Sequence, residues 1–522
     1  MRFAGPSLAL FSLGLIASVH AQVPKGATAI TSDRLKAHLE FIADDLLEGR
    51  NTPSRGLDIA AAYIAANLKL WGVQPAGDNG TYFQRIVLRR PGVTSASLSI
   101  GGKPLALDKG FYAWQVAGKG EGRLVFAGYG WKIPSLKVDP YANLDVKGKL
   151  IVVQAGGKTE REIIGGPNGR GAQSPFSVAK KLGAAGVIVL PNKAVSDSFV
   201  AAAAEVKVVP TRDNPAADGR NSRVPTFILS KEGASSLFEG ESTSWSALSS
   251  KIETGVEASP FAFSPSKTAS FEVATTGELV ETQNVVGYVE GTDPVLKNEY
   301  VAIGAHYDHV GTRPSGDDRV YNGADDDGSG TVATLEIAHA FGVGPKPKRS
   351  ILFVWHAGEE RGLWGSDYFV TNPTVPLTSI ITQLNIDMIG RSRSLADTDP
   401  RNRNLSLPNG IYLIGSRMMS DDLGNISEAV NRKVHRMEFD YKYDDPNDPE
   451  RFFYRSDHYN YARVGIPIIF YFNGVHEDYH GLDDEVEKID FDRMERIAQT
   501  IYSTALELAT RPQRPKVLRK IN

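Results

Sequence analysis

From about Lys267 onward the sequence alternates short, continuously apolar runs with stretches of helical period, and this restricts the fold more than any other feature. The apolar runs cover 284–289, 300–305, 350–355, 380–386, 411–414 and 466–472, and the helical stretches 330–341, 421–433 and 491–508. A strand with one wet face alternates apolar and polar residues; a continuously apolar one needs both faces covered. The pattern predicts an α/β fold with a mixed, mainly parallel sheet sandwiched by helices.

The 522 residues exceed what one ordinary core accommodates. Two helices are expected early, one capped at Ser32 and one over 58–68. Between 121 and 257 the texture changes to short strand-like runs (123–127, 149–153) among glycine-rich turns, with a helical piece at 176–182. This predicts a separate β-rich module, 121–257, inserted into a larger domain of 22–120 plus 258–522. Within it, 210–222 reads as a surface loop, and 201–204 as a short helix or part of that loop.

A formal net charge of −3 argues against a nucleic-acid partner. Arg2 and an apolar run from Leu8 to Val19 precede Val19-His20-Ala21, the pattern of a secretory signal over 1–21, with a retained anchor as the alternative. An exported product, periplasmic or secreted, is therefore expected. No later segment reads as membrane-spanning. The chain has no cysteine, so disulfides play no part in its stability.

Residues of metal-binding type recur where the apolar runs end: His306-Tyr307-Asp308-His309, Glu359-Glu360, Asp387 and, after a loop, Tyr479-His480. In open α/β sheets the crevice beyond the carboxyl ends of the strands is the usual ligand site. Imidazoles and carboxylates without thiolates suit Zn²⁺, with Mn²⁺ or Co²⁺ as alternatives. Asp325-Asp326-Asp327 repel one another unless neutralised, although a solvated acidic loop has the same composition. The spacing excludes an EF-hand. Adjacent carboxylates such as Glu359-Glu360 can divide metal binding from proton transfer. His476-Glu477-Asp478-Tyr479-His480 matches H-E-x-x-H, but the flanking Asn473-Gly474 and Gly481 leave little more than one helical turn for it.

Taken in order, His306-Tyr307-Asp308, the string from Gly323 to Gly330, the string from Gly358 to Ser366, Asn385-Ile386-Asp387-Met388 and Asp478-Tyr479-His480 resemble the metal motifs of one family. It is the co-catalytic di-zinc aminopeptidases, which include bacterial leucyl aminopeptidases and relatives such as glutamate carboxypeptidases. Arg455-Ser456-Asp457-His458 and Gly465-Ile466-Pro467 resemble the family's C-terminal half. The inserted module resembles a protease-associated domain through Ala127-Gly128-Tyr129-Gly130, the string from Asp145 to Lys149 and that from Ala179 to Val187.

The resemblance implies an aminopeptidase acting on peptides with two zinc ions. Asp326 would bridge them, His306 and Asp387 would complete one site, and Glu360 and His480 the other. It also implies a cis peptide between Asp326 and Asp327. Glu359 would be the general base acting on a metal-bridging water, and Asp308 would accept a hydrogen bond from the distal nitrogen of His306. Tyr479 is a candidate oxyanion donor or a packed aromatic, and Asp457 and His458 would support the site. Alternatives on the same fold are a carboxypeptidase using Arg391, Arg393, Arg417 or Arg455, a glutaminyl cyclase-like transferase, and a binding protein with an inactive site. Oligomeric state is not readable from the sequence.

Overall fold

A computed structural model describes residues 23–520 apart from 115, 157–171, 205–208, 211–223 and 255–257. The signal-like segment 1–21 and nearly all of the expected 210–222 loop lie outside the described residues.

The main sheet is built around four adjacent parallel strands. Ser350–His356 pairs with Tyr300–His306, which pairs with Ile380–Ile386, which pairs with Ile468–Phe472. Antiparallel strands flank them: the end of Thr268–Val289 beside Ser350–His356, and Gly410–Ile414 beside Ile468–Phe472. The continuous apolar runs are explained by the layers. Val301, Ile303, Ile351, Phe353 and Leu384 pack into one core with helices Ser32–Ile42, Arg55–Leu70, Gly330–Val343 and Phe491–Thr510. Their neighbours Ala302, Leu352 and Val354 point to the opposite face and pack with residues of Trp364–Thr371 and His458–Arg463. Successive side chains on a strand face opposite ways, so covering both faces demands apolar residues at every position. One detail differs from expectation. The cap of the first helix is Thr31, whose hydroxyl accepts from the Arg34 amide, while Ser32 is already helical and its hydroxyl donates to Asp492 and Glu495.

Strand Phe83–Ile100 pairs antiparallel with Thr268–Val289 in a long ribbon. Between the two lies a second sheet in which Gly118–Phe126, Leu150–Gln154, Gly186–Leu190 and Thr226–Leu229 run parallel in succession. It has apolar clusters of its own. The larger begins at Leu98 and ends at Val273, beyond both ends of the expected 121–257, because the far ends of the ribbon pack onto the module. Helices Pro175–Lys181, Lys193–Ala204, Lys231–Phe238 and Trp245–Glu253 accompany these strands, so the module holds more helix than a β-rich reading predicts, and 201–204 closes a helix. Its short apolar strands resemble those of the main sheet because they too are covered on both faces.

Candidate metal centre

The carboxyl ends of the parallel strands converge on one cleft. His306 is the last residue of its strand, Asp387 follows Ile380–Ile386 directly, and Glu359 and Glu360 follow Ser350–His356 after a turn at Gly358. That turn has φ +75° at Gly358, and a Cβ there would lie 3.1 Å from the Trp364 side chain, so only glycine suits it. The acidic loop enters between strand Tyr300–His306 and helix Gly330–Val343. Its Asp326-Asp327 peptide is cis. His480 arrives from the loop after Ile468–Phe472 with a backbone φ of +55°.

The three consecutive aspartates have separate tasks. Asp325 accepts from the Gly390 amide at 2.6 Å, the Ser329 hydroxyl at 3.0 Å and the Asn473 side chain at 3.2 Å. Asp327 accepts from the amides of His306, Gly330 and Met388 at 2.9–3.1 Å. Only Asp326 turns its carboxylate into the cleft. Its Oδ1 lies 3.4 Å from His306 Nε2, which is 3.7 Å from Asp387 Oδ2. Its Oδ2 lies 3.1 Å from His480 Nε2, which is 3.0 Å from Glu360 Oε1. Two groups of donors thus share one carboxylate.

These spacings test the donor set for a metal. Ligand bonds of about 2.0–2.1 Å place the atoms of one tetrahedron roughly 3.3 Å apart. Asp326 Oδ2, Glu360 Oε1 and His480 Nε2 are buried atoms that make no hydrogen bond, although they approach one another at such distances. Buried polar atoms are normally hydrogen-bonded. Oxygen and imidazole donors held at this separation fit a divalent cation in the second group, and His306, Asp326 and Asp387 bring together a like set in the first.

Several groups orient the donors. His306 Nδ1 lies 3.0 Å from the Asp308 backbone carbonyl, whereas the nearest carboxylate oxygen of Asp308 is at 3.7 Å. The expected bond therefore goes to the main chain of Asp308, not to its side chain; donation from Nδ1–H leaves the Nε2 lone pair directed into the cleft. The Asp308 carboxylate instead accepts the Glu359 amide at 3.1 Å, which fixes the turn bearing both glutamates. Asp484 accepts the amides of Asp325 and Asp326 at 3.0 Å. Arg50, fully buried, donates to the carbonyls of Tyr307 (3.0 Å), Ile42 (2.5 Å), Asn322 (2.7 Å) and Gly323 (3.0 Å), tying the His306 loop to the acidic loop. Arg50 did not stand out in the sequence, and Asp484 drew notice only as part of the string Gly481-Leu482-Asp483-Asp484, a partial match to the family after His480. Asp457 approaches His356 at 3.4 Å behind the cleft, and His458 lies 2.7 Å from the Phe453 carbonyl, so both brace the cleft walls.

The H-E-x-x-H string forms no helix. His476 faces Asp325 at 3.2 Å, while His480 faces Asp326 and Glu360, so the two rings do not share a site.

Electrostatics follow from burial. Burial raises the Asp326 carboxyl, but the adjacent His306 and His480 rings overrule it and hold the group well below the usual range. Burial pushes Glu359 well above its ordinary value; His306 opposes the shift, while Glu360 and Asp387 add to it. The Glu359 carboxylate is 4.0 Å from His306 Nε2, beside the first donor group. A small open pocket adjoins, lined among others by His306, Glu359, Phe452, Arg455, Phe472 and Tyr479. Of the four arginines considered from the sequence, Arg455 lines this pocket. Arg391 is held by Asp478 and Glu477, Arg393 donates to the Asp397 carbonyl and Arg417 to Asn425.

An open, mainly parallel α/β sheet thus carries paired carboxylate and imidazole donors at its carboxyl edge, where sheets of this class bind their ligands. Residues 284–505, which carry every donor named above, match the model of Peptidase family M28. A probable leucine aminopeptidase of Arthroderma benhamiae is 28% identical over 243 residues, 44% of this chain and 60% of the relative. A probable zinc metalloprotease of Pyrenophora teres f. teres is 34% identical over 125 residues, 24% of this chain and 26% of that protein. The chain thus spans about 60% of the length of the first of these curated relatives. A zinc aminopeptidase structure from Bacillus subtilis superposes with a TM-score of 0.54 at 17% identity, covering 96% of this chain and all of that one, which shows a common fold.

Proposed function

We propose that the chain is an exported aminopeptidase that hydrolyses N-terminal peptide bonds with two zinc ions. The observation that carries this reading is the carboxylate of Asp326, one oxygen in each donor group, with Glu359 beside them. His306, Asp326 and Asp387 would hold one ion, and Asp326, Glu360 and His480 the other. The names of the relatives support zinc and aminopeptidase chemistry. When bound, the ions supply Lewis-acid polarisation of the scissile carbonyl and lower the pKa of the attacking water.

Glu359 accepts the proton of that water and returns it to the leaving amine. Asp308 holds the Glu359 amide so that the carboxylate stays at the cleft. Tyr479, whose phenol burial and then the Asp326 and Glu360 carboxylates shift above its ordinary value, remains protonated at neutral pH and is our candidate donor to the oxyanion. The apolar wall of Met388, Phe452, Phe472 and Val475 supports an apolar side chain at the cleaved position.

Export rests on the sequence of residues 1–21 alone. We also propose that the inserted module is a protease-associated domain that shapes the approach to the cleft. The deciding experiment is a panel of aminoacyl and N-acetylated peptides assayed with metal-stripped and zinc-restored enzyme. Zinc-dependent cleavage of free N-termini only is expected. A second reading, carboxypeptidase, is favoured by Arg455 in the pocket; cleavage of acetylated peptides at their free C-termini would select it.

A further inference from the structure

The string His306-Tyr307-Asp308-His309 contains a second imidazole, and the cleft does not leave it idle. His309 is fully buried, and among the described residues neither ring nitrogen makes a hydrogen bond. Its Nδ1 nevertheless lies 3.0 Å from Glu360 Oε1 and 3.8 Å from Asp326 Oδ2. These are the two carboxylate oxygens that His480 Nε2 approaches at 3.0 and 3.1 Å. The ring cannot drift. The His309 amide donates to the Arg50 carbonyl at 3.2 Å, and the ring lies against Gly323, where an added Cβ would come within 2.6 Å of it. Buried polar groups are normally hydrogen-bonded. A shared cation accounts for all of these facts, because donors of one coordination sphere sit roughly 3.3 Å apart without hydrogen-bonding to each other.

We propose that His309 Nδ1 is a direct ligand of the second ion, which would then have four protein donors: Asp326, Glu360, His309 and His480. The inference rests on the two-ion reading above and adds a difference between the ions. The first site has three protein donors, His306, Asp326 and Asp387, the number found where a metal keeps a position open for water or substrate. The second has four, the number of a closed tetrahedral site. The second ion is therefore the more tightly held and slower to exchange, and the first is the one that takes up the substrate carbonyl.

The test counts imidazoles on the metals of the full chain. In the dicobalt protein, each ligating histidine contributes one solvent-exchangeable, paramagnetically shifted N–H proton resonance. Three are expected in the unmutated protein, from His306, His309 and His480, and one of them should vanish in His309→Ala and in the bulkier His309→Gln. Zinc titration against a competing chelator should show the tighter site of the unmutated protein weakened in both variants by more than the roughly 10–100-fold typical of losing a group that only orients a ligand. Two resonances in the unmutated dicobalt protein, or a loss within that 10–100-fold range, would overturn the assignment and reduce His309 to a hydrogen-bond partner of Glu360, with the two-ion reading intact. A chain that takes up neither cobalt nor zinc would overturn both. The count needs no variant, so misfolding of either substitution leaves it decisive.

Discussion

Replacing Glu359 by glutamine separates proton transfer from metal binding at this cleft. Glu359 Oε2 lies 4.0 Å from His306 Nε2, farther than any of the 3.0–3.7 Å contacts among the five donors assigned to the ions. The substitution is isosteric and keeps the amide that donates to Asp308. It also removes a buried carboxyl crowded by Glu360 and Asp387, so the fold loses no stabilising charge. A positioned general base contributes about 10²–10⁴-fold. At about 1.36 kcal/mol per tenfold, that is roughly 3–5 kcal/mol on the barrier. Turnover of an aminoacyl substrate should fall by this factor with KM little changed, because the group acts only as the bond breaks. The assay pairs steady-state rates with metal content by mass spectrometry on the same sample. Turnover within about tenfold of the unmutated enzyme at full metal content would refute the assignment of the base.

Asp326→Ala should abolish tight binding of both ions, because each donor group loses its shared oxygen; retention of one tight equivalent in a metal titration would contradict a bridging role. Burial lowers the His480 pKa, but the adjacent Asp326 and Glu360 carboxylates raise it to about 10, so the metal-free ring is protonated at neutral pH. Zinc requires the neutral ring, so affinity should rise with pH between roughly pH 6 and 9 with measurable proton release; a pH-independent affinity would contradict this. Arg50→Met deprives four carbonyls of a buried donor and should destabilise the chain by at least about 3 kcal/mol in denaturant unfolding. A loss under about 1 kcal/mol would mean that water replaces the guanidinium.

The sheet and the places where it delivers donors were legible because they depend on local pattern. A strand covered on both faces must be apolar throughout, so the first polar residue after it, such as His306 or Asp387, marks the sheet edge. The choice of Asp326 among three aspartates was not legible from composition. It depends on amides of Gly390, Met388 and His306, which come from other strands and occupy Asp325 and Asp327. Asp308 illustrates a related limit. Its position two residues after His306 suggests a carboxylate partner for the ring, but the backbone turns so that the carbonyl is nearer. Arg50 left no signal, because its partners are main-chain carbonyls that every residue type carries.

Backbone amides allow so many carboxylates to be gathered at one buried edge. Asp325 and Asp327 are neutralised by amide dipoles, and Asp484 caps the loop from below with bonds to two more amides. These charges stabilise the loop whether or not a cation is present. Among the described residues Asp326, Glu359, Glu360 and Asp387 have no such amide partners, and the imidazoles beside them become neutral donors once metal binds. The two divalent ions proposed here would balance the group in a low-dielectric crevice. The backbone-bound aspartates therefore set the shape of the site, and the four carboxylates facing the cleft set its demand for cations. Substitutions in the first set should be felt as lost stability and those in the second as lost metal or lost turnover.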